Sequence, residues 1–294
     1  MKKINAGFLL LIIIFVQFSF AQQASDEQIV SQIKTEAMKN SQIMETLGYL
    51  TDVFGPRLTS SPNIKAAQAW TRDKMISWGL QNAAIEPWGE FGKGWAVERF
   101  SAELIAPTYD RLTVYPLAWS PSTEGVISGT PMIVSIRSKD DFEKYRGKLK
   151  GAIVFRGTFG FNTPKSREGH PVERFSDEKL KKMAEETNAG ADGTTDYWAE
   201  EKDWLAGLAR AKEIYKFLKD EGVAALVEPS RFPNNVVLTQ GFYDTNPENN
   251  VPAFTMAREQ YARIVRLSER NIPVKVELNL QTKFYDDKTG ANVV

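Results

Sequence analysis

The side chains that most often carry catalysis or hold transition metals are scarce in this sequence. His170 is the single histidine among 294 residues, and cysteine does not occur. A His-Glu-x-x-His zinc site needs two histidines one helical turn apart, and a thiolate site needs cysteines, so both are excluded. The nucleophile elbow Gly-x-Ser-x-Gly and the glycine-rich phosphate loops do not occur either. We therefore predict no catalytic, cofactor-binding or metal-binding residue in this chain.

His170 could in principle act as the base of a serine hydrolase. It lies in the segment Arg167-Glu168-Gly169-His170-Pro171, whose polar residues, glycine and proline are typical of a solvent-exposed loop. We interpret it as a loop histidine, which leaves a serine-nucleophile hydrolase poorly supported.

A second group of chemically interesting side chains is acidic. Its members are Asp192, Asp196, Glu200, Glu201 and Asp203. Asp192 and Asp196 have the first and fifth spacing of a calcium loop, but Thr194 takes the third position and no glycine follows at the sixth, so the motif fails. We interpret the group as part of a solvated loop from Arg156 to Trp204, with a weak cation site as the open alternative.

Four aromatic residues, Trp88, Phe91, Trp95 and Phe100, surround a glycine-rich turn. They could form a stacking surface for a ligand. Buried aromatic side chains that stabilise a loop are the more common arrangement, and we favour it.

Composition bounds the class of protein. The chain is 42% hydrophobic and 25% charged, which is typical of a globular protein with one large domain or two smaller ones. Lysine plus arginine equals aspartate plus glutamate at 37 each. Because there is no excess of positive charge to neutralise phosphates, we expect no nucleic-acid partner.

The first residues have the pattern of an export signal. Lys2 and Lys3 precede an apolar run over residues 8–18, and Ser19 and Ala21 supply the small residues of a cleavage site. We predict a signal peptide over residues 1–21 and a secreted or periplasmic protein. The alternative, an uncleaved membrane anchor, needs about 20 apolar residues, more than this run has. Without cysteine, disulfides and a lipidated N-terminus are excluded.

Periodicity predicts two helical regions next. A capping box at Ser25 opens the first, in which apolar residues share one face up to Leu47 with a break near Asn40. The second has an apolar face from Ile64 to Trp78 and stops at Gly79. We expect both faces to pack in a core.

The rest of the chain alternates between strands and helices. The predicted strands are Ser101–Ile105, Leu112–Tyr115, Gly125–Ser128, Met132–Ile136, Ala152–Phe155, Val223–Val227, Val251–Met256 and Val274–Leu280. Helices are predicted at Asp140–Tyr145, at Leu205–Leu218 and around Tyr261–Leu267. This order predicts an α/β fold.

Several short motifs occur in an order that resembles a known family. Gly55-Pro56-Arg57-Leu58-Thr59-Ser60-Ser61-Pro62, the helix end Trp78-Gly79-Leu80 and Glu86-Pro87-Trp88-Gly89-Glu90-Phe91-Gly92-Lys93-Gly94-Trp95 are similar to the N-terminal region of the metallopeptidases that include carboxypeptidase Q and the two-zinc aminopeptidases. Tyr145–Phe155, Glu221–Leu226 and Val251–Phe254 resemble a protease-associated domain inserted into that fold.

The resemblance implies a domain plan and a chemistry. Residues 22–116 would be the N-terminal part of a zinc-exopeptidase catalytic domain, 117–256 an inserted α/β protease-associated domain, and 257–294 the return. In the family, two zinc ions activate a water while a carboxylate acts as general base. The motifs that hold them follow a strand like the one beginning at Asn292-Val293-Val294, so none of the family's catalytic positions has a counterpart here.

Two hypotheses of different classes follow. In the first, the chain is the N-terminal fragment of a secreted zinc exopeptidase that hydrolyses peptide bonds at chain ends or in dipeptides. The fragment itself is expected to bind no zinc and to be inactive. The parent is expected to act on peptides and to have no stable membrane anchor, and a homodimer of the parent is left open. The alternative is a non-catalytic secreted module that uses a protease-associated fold for protein or peptide contact.

Overall fold

The computed structural model describes residues 26–157, 176–181, 184 and 197–294, with the side chains of 197–201 left out. The predicted signal peptide, His170, Asp192 and Asp196 lie outside this part of the chain. Within the described ranges, no helix is both long enough and apolar enough to cross a bilayer.

The longer described α-helices fall in the predicted helical regions, except that α5 begins before its predicted start. They are α1 (Asp26–Lys39), α2 (Ile43–Gly48), α3 (Pro62–Ser77), α4 (Phe142–Tyr145), α5 (Tyr197–Asp220) and α6 (Arg258–Glu269). A π-helical turn, Tyr49–Val53, extends α2, and short 3-10 turns occur at Lys139–Asp141 and Pro247–Asn249.

The strands of the described residues lie in three sheets. They are β1 (Ile85–Glu90), β2 (Gly94–Ala106), β3 (Asp110–Arg111), β4 (Val114–Pro116), β5 (Ile127–Gly129), β6 (Pro131–Val134), β7 (Ile153–Arg156), β8 (Ala225–Pro229), β9 (Ala253–Met256), β10 (Lys275–Tyr285) and β11 (Thr289–Val293). The mixed α/β architecture expected from the sequence is confirmed.

Of the part of the chain that the structure describes, residues 26–56 belong to one unit. The predicted break near Asn40 is confirmed, because α1 ends at Lys39 and α2 begins at Ile43. The prediction that this apolar face packs in a core is wrong, since neither α1 nor α2 contains a buried residue. An apolar stripe shows which face of a helix can pack, but it does not supply the surface that covers it.

Residues Arg57–Val294 form the second unit. Its first helix, α3, starts as predicted: the Ser61 hydroxyl caps it by accepting from the amide of Ile64 at 3.3 Å. Of the face predicted to be buried, only Ala67 is, and Trp78 is half-exposed. The helix packs on the two-stranded sheet of β1 and β11 instead of entering a deep core.

A five-stranded sheet has the order β4-β9-β8-β7-β6, in which β6 to β9 are parallel and β4 is antiparallel. The short apolar runs of β7, β8 and β9 are buried almost throughout. This is the pattern of parallel strands that are covered on both faces.

A four-stranded antiparallel sheet, β3-β2-β10-β5, covers one face of the five-stranded sheet. One apolar cluster joins β2 and β10 to the central parallel strands and to α6, with Leu104, Phe155, Phe254, Tyr261 and Leu278 among its most buried members. A second cluster contains apolar side chains of α5, including Phe217 and Leu218, and of the parallel strands.

Strand pairing crosses both predicted domain boundaries. β4, which precedes residue 117, pairs with β9 inside the predicted insert. β5, inside the insert, pairs with β10 beyond residue 256. The division at 117 and 256 therefore stays a prediction, and the packed unit extends beyond it on both sides.

The long loop predicted from Arg156 to Trp204 contains helical structure. Residues 177–181 are helical, and α5 begins at Tyr197 instead of near Leu205. Glu200, Glu201 and Asp203 therefore belong to a helix, which corrects their assignment to a solvated loop. The physical reason is that alanine, glutamate and lysine favour helix even where no apolar face is visible.

Candidate functional site

The two N-terminal motifs that carry the family resemblance meet at one junction. Ser60 has a positive φ of 62°, and its backbone carbonyl lies so close to Gly94 that a Cβ there would overlap it. The Ser60 hydroxyl donates to the carbonyl of Thr289 at 3.3 Å. The indole of Trp88 covers Gly290 in the same way. The motif glycine is therefore required by the close approach of backbones.

Two ion pairs fix the turn between β10 and β11 to this junction. Lys65 pairs with Asp287, and Lys93 Nζ lies 3.2 Å from Asp286 Oδ1. The hydrogen bond from Lys65, aided by the amide of Thr289, lowers the pKa of Asp287 to about 2. Asp287 is therefore ionised across the physiological range and keeps the turn attached.

The aromatic residues near the junction divide into two kinds. Trp95 is buried and donates its indole N–H to the carbonyl of Ser120 at 2.8 Å, and Phe100 is partly buried against the core. These two side chains stabilise the fold, in agreement with the favoured prediction that the aromatic residues are buried. Trp88 and Phe91 are exposed over about half their area, so a stacking surface for a ligand stays an untested alternative for them.

A polar cluster lies at the carboxyl ends of β7 and β8, the edge where open α/β sheets usually bind ligands. Arg156 Nε donates to Glu228 Oε1 at 2.6 Å, and the side chains are only 22% and 17% exposed. The Tyr215 hydroxyl is 3.4 Å from Glu228 Oε2, and its ring lies 5.5 Å from the guanidinium. Tyr261 donates to the carbonyl of Gly157 at 2.9 Å.

The electrostatics of this cluster keep Arg156 charged and the phenols of Tyr215 and Tyr261 neutral. Burial acts to lower the pKa of Arg156, but the nearby Glu228 carboxylate together with Tyr215 and Tyr261 outweighs it, so the pKa is raised. Burial, and then the charge of Glu228, raises the pKa of Tyr215 and of Tyr261 well above the usual value. The cluster thus contains a closed ion pair and neutral phenols. It can brace the sheet edge, but it offers no free base or nucleophile.

Sequence reasoning did not find the Arg156–Glu228 pair. The available signal is that each apolar strand run ends in a charged residue of opposite sign, Ile153-Val154-Phe155-Arg156 and Ala225-Leu226-Val227-Glu228. The parallel register pairs Phe155 with Val227, so the next residues lie side by side. Only knowledge of the pairing turns that signal into a contact.

The described residues contain no cluster of side chains that could form a metal centre. Across residues 26–157 and 197–294, no three histidine, cysteine, aspartate or glutamate side chains converge so as to hold an ion. Asp203 is exposed, and the other acidic residues near it lack described side chains. The described residues therefore do not fit the two-zinc site that the family resemblance implies.

No protein-family model and no curated protein matches the chain. Among solved structures, it is similar to a peptidase M28 precursor from Shewanella amazonensis SB2B, with a TM-score of 0.54, 19% identity, and coverage of 90% of this chain and 52% of that one. An aminopeptidase from Aneurinibacillus sp. strain AM-1 gives a TM-score of 0.43 at 12% identity, and the match covers 88% of this chain and 48% of that one. A zinc aminopeptidase from Bacillus subtilis gives a TM-score of 0.44 at 12% identity, and the match covers 85% of this chain and 45% of that one.

The chain thus spans about half the length of the solved structures it matches. At this level of identity the likeness concerns the fold. The chain has a mixed α/β fold of the kind found in the M28 peptidase precursor.

Proposed function

We propose that this chain is the N-terminal part of an exported zinc exopeptidase. The observation that carries the proposal is the fold likeness to the peptidase M28 precursor, which extends over 90% of this chain but only 52% of that structure. The order of the sequence motifs supports the same family. In this plan a signal peptide (1–21) precedes the first part of the catalytic domain, and a protease-associated domain is inserted near residues 117–256.

In this proposal the zinc ions, the activated water and the general base are held by residues that this chain does not contain. The residues of this chain hold in place the helix and strands of the first part of the catalytic domain. The Ser60 contact with Thr289 and the ion pairs of Lys65 and Lys93 attach the start of α3 and the β1–β2 turn to the turn that leads into β11. The substrate class is a peptide, cleaved at a chain end or as a dipeptide.

The first test is an activity measurement on the purified chain from Gln22 to Val294. We expect no hydrolysis of leucine p-nitroanilide or of dipeptides with zinc or cobalt added, and less than one tightly bound zinc ion per chain. Zinc-dependent hydrolysis that is absent from a mock purification would contradict the assignment of the ligands to other residues.

The encoding DNA separates this proposal from the alternative of a secreted binding module. An open frame beyond the Val294 codon that encodes a His-x-Asp-type motif supports the peptidase. The longer product should then hydrolyse the same substrates, lose activity with a chelator and regain it with zinc. A stop codon directly after Val294 supports the binding module and removes the basis of the proposal.

A further inference from the structure

Residues 230–238 leave the carboxyl end of β8 as a short loop that carries apolar side chains into solvent. Phe232, Val236 and Leu238 are 39%, 51% and 37% exposed. Single exposed apolar residues are common on protein surfaces. Three on one loop raise the question of what holds their backbone in place.

The root of the loop is held by Ser230, which is 1% exposed. Its hydroxyl donates to the carbonyl of Val236 at 2.7 Å and accepts from the amides of Phe232 at 3.3 Å and Leu238 at 3.2 Å. Its own amide donates to the carbonyl of Met256 at 2.7 Å. One buried hydroxyl therefore joins both ends of the loop and ties them to β9.

The tip of the loop is held by a different group. Asn234 and Asn235 have positive φ angles of 63° and 56°, a region that asparagine tolerates better than most residues. Their amides donate to the carboxylate of Glu259, at 2.6 Å to Oε1 and 3.2 Å to Oε2. Glu259 lies in the first turn of α6, so the tip is attached to a rigid element.

Both hydrogen bonds favour the charged form of the carboxylate. Burial acts to raise the pKa of Glu259, but the amide hydrogen bonds, including those from Asn234 and Asn235, outweigh it and the pKa is lowered. Charge-assisted bonds of this kind are roughly twice as strong as neutral ones.

We propose that Glu259 is a latch that holds the 230–238 loop in the conformation in which Phe232, Val236 and Leu238 face solvent. The loop has two attachments: the neutral Ser230 root, and the tip, which depends on one ionised side chain. Release of the latch opens the tip while the root stays in place. This inference does not depend on the proposed function.

The test is hydrogen–deuterium exchange of the purified chain at neutral pH, followed in peptides that cover residues 231–238. Glu259→Gln keeps the side chain's length but removes its charge and one acceptor. Loss of about one net charge-assisted hydrogen bond should speed exchange in the loop by about tenfold. Tryptic cleavage after Arg231 under native conditions should rise to a similar extent.

The matched control is Glu269→Gln at the other end of the same helix, which should leave both readouts unchanged. Glu259→Asp retains the charge but shortens its reach, and should give an intermediate result. If Glu259→Gln does not fold, Glu259→Asp serves as the test of the latch. Wild-type exchange and cleavage in both Glu259 variants would overturn the latch.

Discussion

The Arg156–Glu228 pair provides the sharpest test of the energetics of this fold. Glu228→Gln leaves the guanidinium in a site that is largely closed to water. Removing one partner of a buried ion pair costs about 3–5 kcal/mol, and since these side chains retain 22% and 17% exposure, we expect the lower end, about 3 kcal/mol. Replacing both, as in Arg156→Met with Glu228→Leu, should cost within about 1 kcal/mol, because no unpaired charge remains.

The assay is urea unfolding of the mature chain followed by the fluorescence of its seven tryptophans. With a slope of about 3 kcal/mol per molar urea, Glu228→Gln should lower the midpoint by about 1 M. Asp220→Asn is the matched control, because it breaks the ion pair between Lys216 and Asp220, whose side chains are 75% and 59% exposed. It should lower the free energy of unfolding by less than about 0.5 kcal/mol. If Glu228→Gln costs no more than Asp220→Asn, or the double replacement as much as Glu228→Gln, the reasoning is refuted.

Three further predictions concern the junction and the packed unit. Gly94→Ala should destabilise the chain by about 1–3 kcal/mol in the same assay, because the new Cβ overlaps the backbone of Ser60, and wild-type stability would contradict the close approach. The pKa of Asp287 is lowered, so its stabilising interaction with Lys65 should be complete above about pH 4 and lost as pH falls through about 2; in Lys65→Met, an NMR titration should show the pKa moving up. Limited trypsin digestion should cut after Lys34 and Lys39, at the end of α1, before it cuts β2 or β10, since α1 buries no side chain, and early cleavage inside β2 would count against it.

The sequence predicted the elements of this fold better than their pairing. The apolar runs of β7, β8 and β9 were assigned as strands within two residues of their bounds, because short β-branched runs between turns have few alternatives. That β4 joins β9, and that β5 joins β10, depends on contacts between residues more than 100 positions apart. Local periodicity contains no information on such partners, so the boundaries drawn at 117 and 256 followed motifs alone.

Burial was the other quantity that local pattern could not supply. The helix faces of α1 and α3 were assigned to a core from their period alone, yet only Ala67 of α3 is buried. Period and propensity describe one element at a time. Burial belongs to a pair of surfaces, and the second surface is set by the tertiary structure.

The motifs that carry the family resemblance explain why a sequence can indicate a fold without revealing its chemistry. Ser60 contacts Gly94 of β2 and Thr289 of β11, and Trp88 covers Gly290 of β11. Each is restricted by shape: a positive φ at Ser60, a missing Cβ at Gly94, and an indole that covers a glycine at Trp88. None of the three has a side chain that titrates near neutral pH, and the Ser60 hydroxyl is engaged with the carbonyl of Thr289. Such residues specify how α3, β1 and β11 come together, so they identify the architecture, while catalysis in a fold of this kind is decided by other side chains.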